Sequence, residues 1–426
     1  VERPGRELAP DYSPDGQTIA FTSDSGAPEP IGLWDVYTVP ASGGPAEMLA
    51  ETPNRLASLI GWAAGGNALL VLEYAGTSTH IFSVPADGDS VRQLSTGAGV
   101  YGSFWSKPYS PSMPSYSRAA DRLSFTYQDS DSPSEVYVSP RENFDQRRVT
   151  GLRADLSRPS MGQTELVTWT GPGGQKIEGL LTYPVGYEGG RVPLIVSVHG
   201  GPAFAYTRMF TGGWIANAHM VQVFAQRGYA TLRPNPRGSD GYGKAFRYQV
   251  RGDWGGGPYR DLMAGVDRAV EMGVAHPDSL VITGSSYGGY LTAMTVAKTD
   301  RFEAASMFLG ITNLVSYAGT GSLPGFLAAY MGGDVWERYE TYEENSPIYR
   351  VDQVSTPTQV LHLAPDPVHP PGQSQAFSRA LKGRGVSTQR VVYPSLSPKH
   401  MRSVTPRTLD WFDKHLGRHA GEESSR

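Results

Sequence analysis

Residues 280–290 run a short apolar strand into a glycine-bracketed serine, Gly284-Ser285-Ser286-Tyr287-Gly288-Gly289, and a helical segment follows at once. A turn that lifts a nucleophile out between strand and helix leaves almost no room two residues before it and two after. Gly284 and Gly288 meet that demand only if Ser286, not Ser285, is the reactive hydroxyl. A serine hydroxyl needs an imidazole to take its proton and a carboxylate to hold that imidazole in the useful tautomer. In the order serine, acid, histidine, the acid is Asp366, three residues past the apolar run 359–363, and the base is His400, seven residues past Tyr393. Asp352 precedes its strand, His362 and His369 flank the acid, and His415 and His419 fall in the last helix and the tail. The oxyanion formed by attack needs two fixed backbone donors. These are the N–H of Tyr287 and that of Gly201 in His199-Gly200-Gly201-Pro202. Phe204, Tyr206, Ser285 and Tyr317 are candidates for the pocket wall.

Such a constellation needs a rigid sheet beneath it. From residue 166 onward, apolar strands (193–198, 229–232, 280–283, 305–309, 359–363, 390–393) alternate with helical patterns near 214–227, 258–272, 287–298, 373–384 and 402–416. That alternation indicates a mostly parallel sheet with helices on both faces, entered through a hairpin over 165–170 and 175–183. Residues 166–416 thus read as an α/β-hydrolase catalytic domain, 151–165 as a polar linker and 417–426 as a frayed tail.

The first 150 residues repeat instead. Tyr12-Ser13-Pro14-Asp15-Gly16, Trp62-Ala63-Ala64-Gly65-Gly66 and Tyr116-Ser117-Arg118-Ala119-Ala120 each place an aromatic residue seven positions before an aliphatic strand. A second strand follows each time (35–40, 80–85, 135–140), then a weaker third. The aromatic positions lie 50 and 54 residues apart, a spacing suited to propeller blades. Three repeats fall short of the four to eight blades of a closed propeller, so an all-β, partial or truncated propeller domain is expected.

The 426 residues carry a net charge of −4, 18% charged and 39% hydrophobic residues, and no cysteine. This excludes thiolate chemistry and disulfides and argues against nucleic acid as the main partner. With no apolar signal at the start and no bilayer-spanning run, a cytoplasmic location is the expectation.

Taken together, His199-Gly200-Gly201-Pro202, Asn235-Pro236-Arg237-Gly238-Ser239-Asp240-Gly241-Tyr242-Gly243, Gly252-Asp253-Trp254-Gly255-Gly256 with Asp261, and the serine elbow resemble the prolyl oligopeptidase family of serine peptidases. The likeness is to its acylaminoacyl-peptidase and dipeptidyl-peptidase branches. It implies hydrolysis of short peptides, with release of acyl-amino acids or dipeptides, and neither metal nor cofactor; homo-oligomer formation is left open. Three departures stand out. Ser285 replaces a frequent tryptophan before the nucleophile. Val368 stands where the acid loop commonly carries Arg or Asn. The closing Tyr393-Pro394 segment reaches His400 through a loop two residues longer than usual and without its glycine. An esterase or amidase for a small non-peptide substrate and a binding protein with a decayed triad are the competing readings.

Overall fold

A computed structural model describes residues 5–24, 31–102, 113–152, 160–212, 219–395 and 397–418. Two compact units emerge: Val1–Arg158 with Thr207–Phe210 and Asp240–Arg247, and the remaining residues. Parts of the expected linker (153–159) and tail (419–426) lie outside the described residues.

Among the described residues up to 152 the first unit is all β, and each sequence repeat is a four-strand meander. The first comprises β1 (Glu7–Tyr12), β2 (Thr18–Ser23), β3 (Asp35–Pro40) and β4 (Glu47–Met48). The second comprises β5 (Ser58–Trp62), β6 (Ala68–Ala75), β7 (Ser78–Pro85) and β8 (Arg92–Gln93). Strand β9 (Val100–Tyr101) follows, and the third meander is β10 (Ser115–Ser117), β11 (Arg122–Gln128), β12 (Glu135–Pro140) and β13 (Arg147–Arg148). β9 runs parallel to β7 and antiparallel to β11, which joins the second and third repeats into one sheet. The leading strands β1, β5 and β10 have no clean polar–apolar alternation in the sequence that would mark them as strands. The repeating aromatic residue has a structural reason: it ties its repeat to the one before. Trp62 Nε1 donates to Asp11 O at 3.0 Å, and the Tyr116 hydroxyl accepts from Ala64 N at 3.0 Å.

In the second unit an eight-stranded sheet runs in the order β14 (Thr164–Thr170), β15 (Lys176–Thr182), β17 (Ala230–Asn235), β16 (Val192–Val198), β18 (Ala275–Ser285), β19 (Ala304–Phe308), β20 (Thr358–Leu363), β21 (Thr388–Tyr393). The β14–β15 hairpin and the β15–β17 pair are antiparallel, and the six strands from β17 to β21 are mutually parallel. The helices are α1 (Val221–Gln226), α2 (Gly243–Tyr248), which begins within the first unit, α3 (Gly257–Glu271), α4 (Tyr287–Val296), α5 (Leu314–Thr320), α6 (Pro324–Met331), α7 (Tyr339–Glu344), α8 (Pro371–Gly383) and α9 (Pro398–His415). Buried Ile195, Val281 and Ala304 of the sheet, with Tyr229 just before β17, pack with Phe224, Leu409 and Phe412 of α1 and α9. At the C-terminal strand ends, from which the site is built, Phe308, Leu361, Leu363 and Tyr393 pack with Val404 of α9. Among the described residues no helix is long and apolar enough to cross a membrane.

Candidate active site

The elbow forms as its glycines require. Ser286 joins β18 to α4 at φ +57° and ψ −119°, a conformation that non-glycine residues rarely hold without surrounding support. Its N–H donates to Phe308 O at 2.9 Å and its carbonyl accepts from Tyr290 N at 2.9 Å. A Cβ on Gly284 would sit 2.5 Å from the Gly288 backbone, and one on Gly288 would sit 2.1 Å from Val198 O. The third glycine is needed as well, since a Cβ on Gly289 would come within 2.6 Å of Phe308 O.

The imidazole that meets this serine is His369. Its Nε2 lies 2.8 Å from Ser286 Oγ, and its Nδ1 lies 3.0 Å from Asp366 Oδ2. A carboxylate only accepts, so Nδ1 carries the hydrogen and Nε2 is left to accept from the serine hydroxyl. Asp366 grips the backbone too: its Oδ1 accepts from the N–H of Val368 and of His369, each at 2.9 Å. On the far side, buried His362 on β20 places Nε2 2.7 Å from His369 O. Burial opposes the charge on Asp366, but the ring and backbone N–H groups of His369 outweigh it and hold the carboxyl below its ordinary value.

The expectation that His400 partners Ser286 is therefore corrected to His369. Helix α9 starts at Pro398, four residues earlier than its sequence pattern indicates, with the Ser397 side chain capping the N–H of His400. The extra residues of this segment begin a helix, and His400 lies in its first turn with Nδ1 3.1 Å from Ser395 Oγ and 3.0 Å from Ser395 O. The signal for His369 was the spacing Asp366-Pro367-Val368-His369, which lets one carboxylate bind both the backbone and the ring of the same histidine.

The glycine loop after β16 lies against the elbow, where a Cβ on Gly200 would be 3.4 Å from Ser285 O. Gly201 has φ +120° and precedes the cis peptide to Pro202; a Cβ there would stand 2.4 Å from Ala203 N. His199 holds this loop, with Nδ1 2.7 Å from Gly200 O and Nε2 2.9 Å from Ser239 Oγ. Burial pushes its pKa down to about 4, so the ring is neutral near pH 7. Beneath the elbow the Tyr287 hydroxyl donates to Trp254 O at 2.7 Å within an aromatic cluster that includes Tyr290 and Tyr330. Arg237 clamps buried Asp261 through two side-chain bonds of 2.8 and 2.7 Å and a backbone bond of 2.9 Å.

Of the expected pocket residues, Phe204 is half-buried with its ring against Gly200, and Ser285 and Val368 are half-buried beside the reacting groups. Tyr317 is buried in α5, where burial and the nearby Asp366 charge push its hydroxyl up to about 12. Tyr206 is packed into the sheet face instead, its hydroxyl 3.1 Å from Ser197 Oγ. Among the described residues no cluster of three or more His, Asp or Glu side chains is arranged to hold a metal ion.

Against known proteins, the profile of the prolyl oligopeptidase family matches residues 215–419. The uncharacterized peptidase YuxL of Bacillus subtilis is 34% identical over 298 residues, covering 67% of this chain and 44% of its own length. Dipeptidyl-peptidase 5 of Aspergillus oryzae is 26% identical over 444 residues, covering 98% of this chain and 57% of its own. The chain thus spans about half the length of these curated relatives. Among solved structures, a Pyrococcus horikoshii acylaminoacyl peptidase superposes with a TM-score of 0.79 at 21% identity, over 96% of this chain and 64% of that one. A Mycobacterium tuberculosis puromycin-hydrolyzing peptidase gives 0.75 at 20% identity, over 99% and 72%. At these identities the shared property is the fold: an α/β-hydrolase sheet preceded by an all-β region.

Proposed function

This chain belongs to the prolyl oligopeptidase family, and we propose that it is a serine peptidase acting on short peptides, with Ser286 as nucleophile, His369 as base and Asp366 as the base's anchor. The observation that carries this reading is the unbroken line from Ser286 Oγ through the His369 ring to Asp366, with steps of 2.8 and 3.0 Å. As Ser286 Oγ attacks the scissile carbonyl carbon, its proton passes to His369 Nε2 and the carbonyl electrons move onto oxygen. The N–H groups of Tyr287 and Gly201 receive that oxyanion. The imidazolium then gives its proton to the amide nitrogen, the C–N bond breaks, and the acyl group remains on Ser286. Water, deprotonated by the same nitrogen, releases the acid and restores the serine.

The names of the relatives, dipeptidyl-peptidase and acylaminoacyl peptidase, support release of dipeptides or acyl-amino acids. Aminoacyl- and acylaminoacyl-p-nitroanilides test this: steady turnover that disappears in Ser286→Ala supports it, and no turnover of any anilide or peptide contradicts it. Val368, which offers no side-chain donor to a substrate carbonyl, favours esterase action as a second reading. That reading gains if nitrophenyl esters are cleaved and anilides are not.

A further inference from the structure

Arg233 lies on interior strand β17 of the second unit's sheet, 3% exposed, with no carboxylate partner among the described residues. Its Nε and Nη1 are buried without a hydrogen-bond acceptor, and so is the hydroxyl of Thr231, two residues earlier on the same face of β17. The neighbouring strand β16 pairs Ile195 with Thr231 and Val196 with Leu232, so the next pair along sets Ser197 beside Arg233. The Ser197 and Tyr206 hydroxyls are 3.1 Å apart and share one bond, which leaves one of their two hydrogens to give elsewhere. The Tyr206 ring lies 5.5 Å from the Arg233 guanidinium carbon. Burial pulls the Arg233 pKa down to about 10, which still leaves it charged at neutral pH.

An isolated buried cation is strongly disfavoured. Among the described residues the hydroxyls beside it, of Thr231 and the Ser197–Tyr206 pair, have hydrogens to donate and no negative charge to offer, and water would supply no compensating charge. All four side chains are at most 5% exposed, so a partner that meets them has to be small and able to accept from several directions, as a single ion is and an extended molecule is not. We propose that Arg233, Thr231 and the Ser197–Tyr206 hydroxyl pair form a buried binding site for one halide ion. Tyr206 is locked to Asn235 through a backbone N–H bond of 2.7 Å and a return bond of 2.9 Å, so the ion braces the segment that follows Gly201.

Two measurements test this. Crystals of the full chain soaked in sodium bromide should show an anomalous peak in contact with the Arg233 guanidinium. In solution, exchanging gluconate for chloride at constant ionic strength should raise the melting temperature saturably, by about 3 °C or more. Arg233→Met should lose that response. Absence of a bromide peak overturns the site, whether or not the variant folds, and so does a chloride response that Arg233→Met retains in full.

Discussion

His369 and His400 both follow a parallel strand of the same sheet, yet their surroundings differ in kind. His369 is held at each of its own polar atoms: ring Nδ1 and backbone N–H by Asp366, the backbone carbonyl by His362, and Nε2 by Ser286. Among the described residues the ring of His400 bonds only its own segment, at Ser395, beside Tyr393 with ring centres 5.9 Å apart. Chain order ranks the two histidines one way and preorganisation ranks them the other. A general base needs a fixed tautomer and a fixed direction, and only the loop that carries the acid supplies both.

The comparison can be pressed hardest at the shared partner. Ser286→Ala should lower kcat/KM for peptide substrates by at least about 10⁴-fold with little change in melting temperature; a loss under tenfold would break the account. Asp366→Asn should cost about 10³- to 10⁴-fold in kcat, because the amide no longer fixes the Nδ1–H tautomer. A normal far-UV circular dichroism spectrum would separate that loss from unfolding.

Below these come effects on the scaffold. Removing Arg237 leaves the fully buried Asp261 carboxylate without its bidentate partner, so Arg237→Met should cost about 3 kcal/mol in denaturant unfolding, and an unchanged midpoint would contradict this. A smaller effect concerns acid. His219, like His199, is held neutral by burial with a pKa near 4, well below its unfolded value. The unfolded chain therefore binds protons that the fold does not, and stability falls as pH drops from about 6.5 toward 4. His219→Gln should flatten the pH dependence of the melting temperature across that window, and an unaltered slope would be evidence against it.

The parts legible in the sequence were those set by local sterics or periodicity. Gly284 and Gly288 announce the elbow because no side chain fits there, and the switch from aromatic repeats to apolar strands announces two kinds of unit. The base was not legible in this way. Choosing between His369 and His400 depends on whether residues 394–400 continue as loop or begin a helix. Ser397-Pro398, a capping residue followed by proline at the first helical position, was the local cue for the helix. The Arg237–Asp261 clamp was hidden for another reason: it joins residues 24 apart whose meeting depends on how α3 packs on the sheet. Tyr206 was not legible because an aromatic residue near a glycine loop serves a pocket or a core equally well, and its burial and its bond to Ser197 decide for the core.

The account rests on which histidine activates Ser286, and the rate of Ser286 labelling by a fluorophosphonate measures that directly. His369→Gln should slow labelling by about 10³-fold or more, while His400→Gln labels at close to the parent rate. The reverse pattern, with His400→Gln inert and His369→Gln reactive, would contradict the account at its centre.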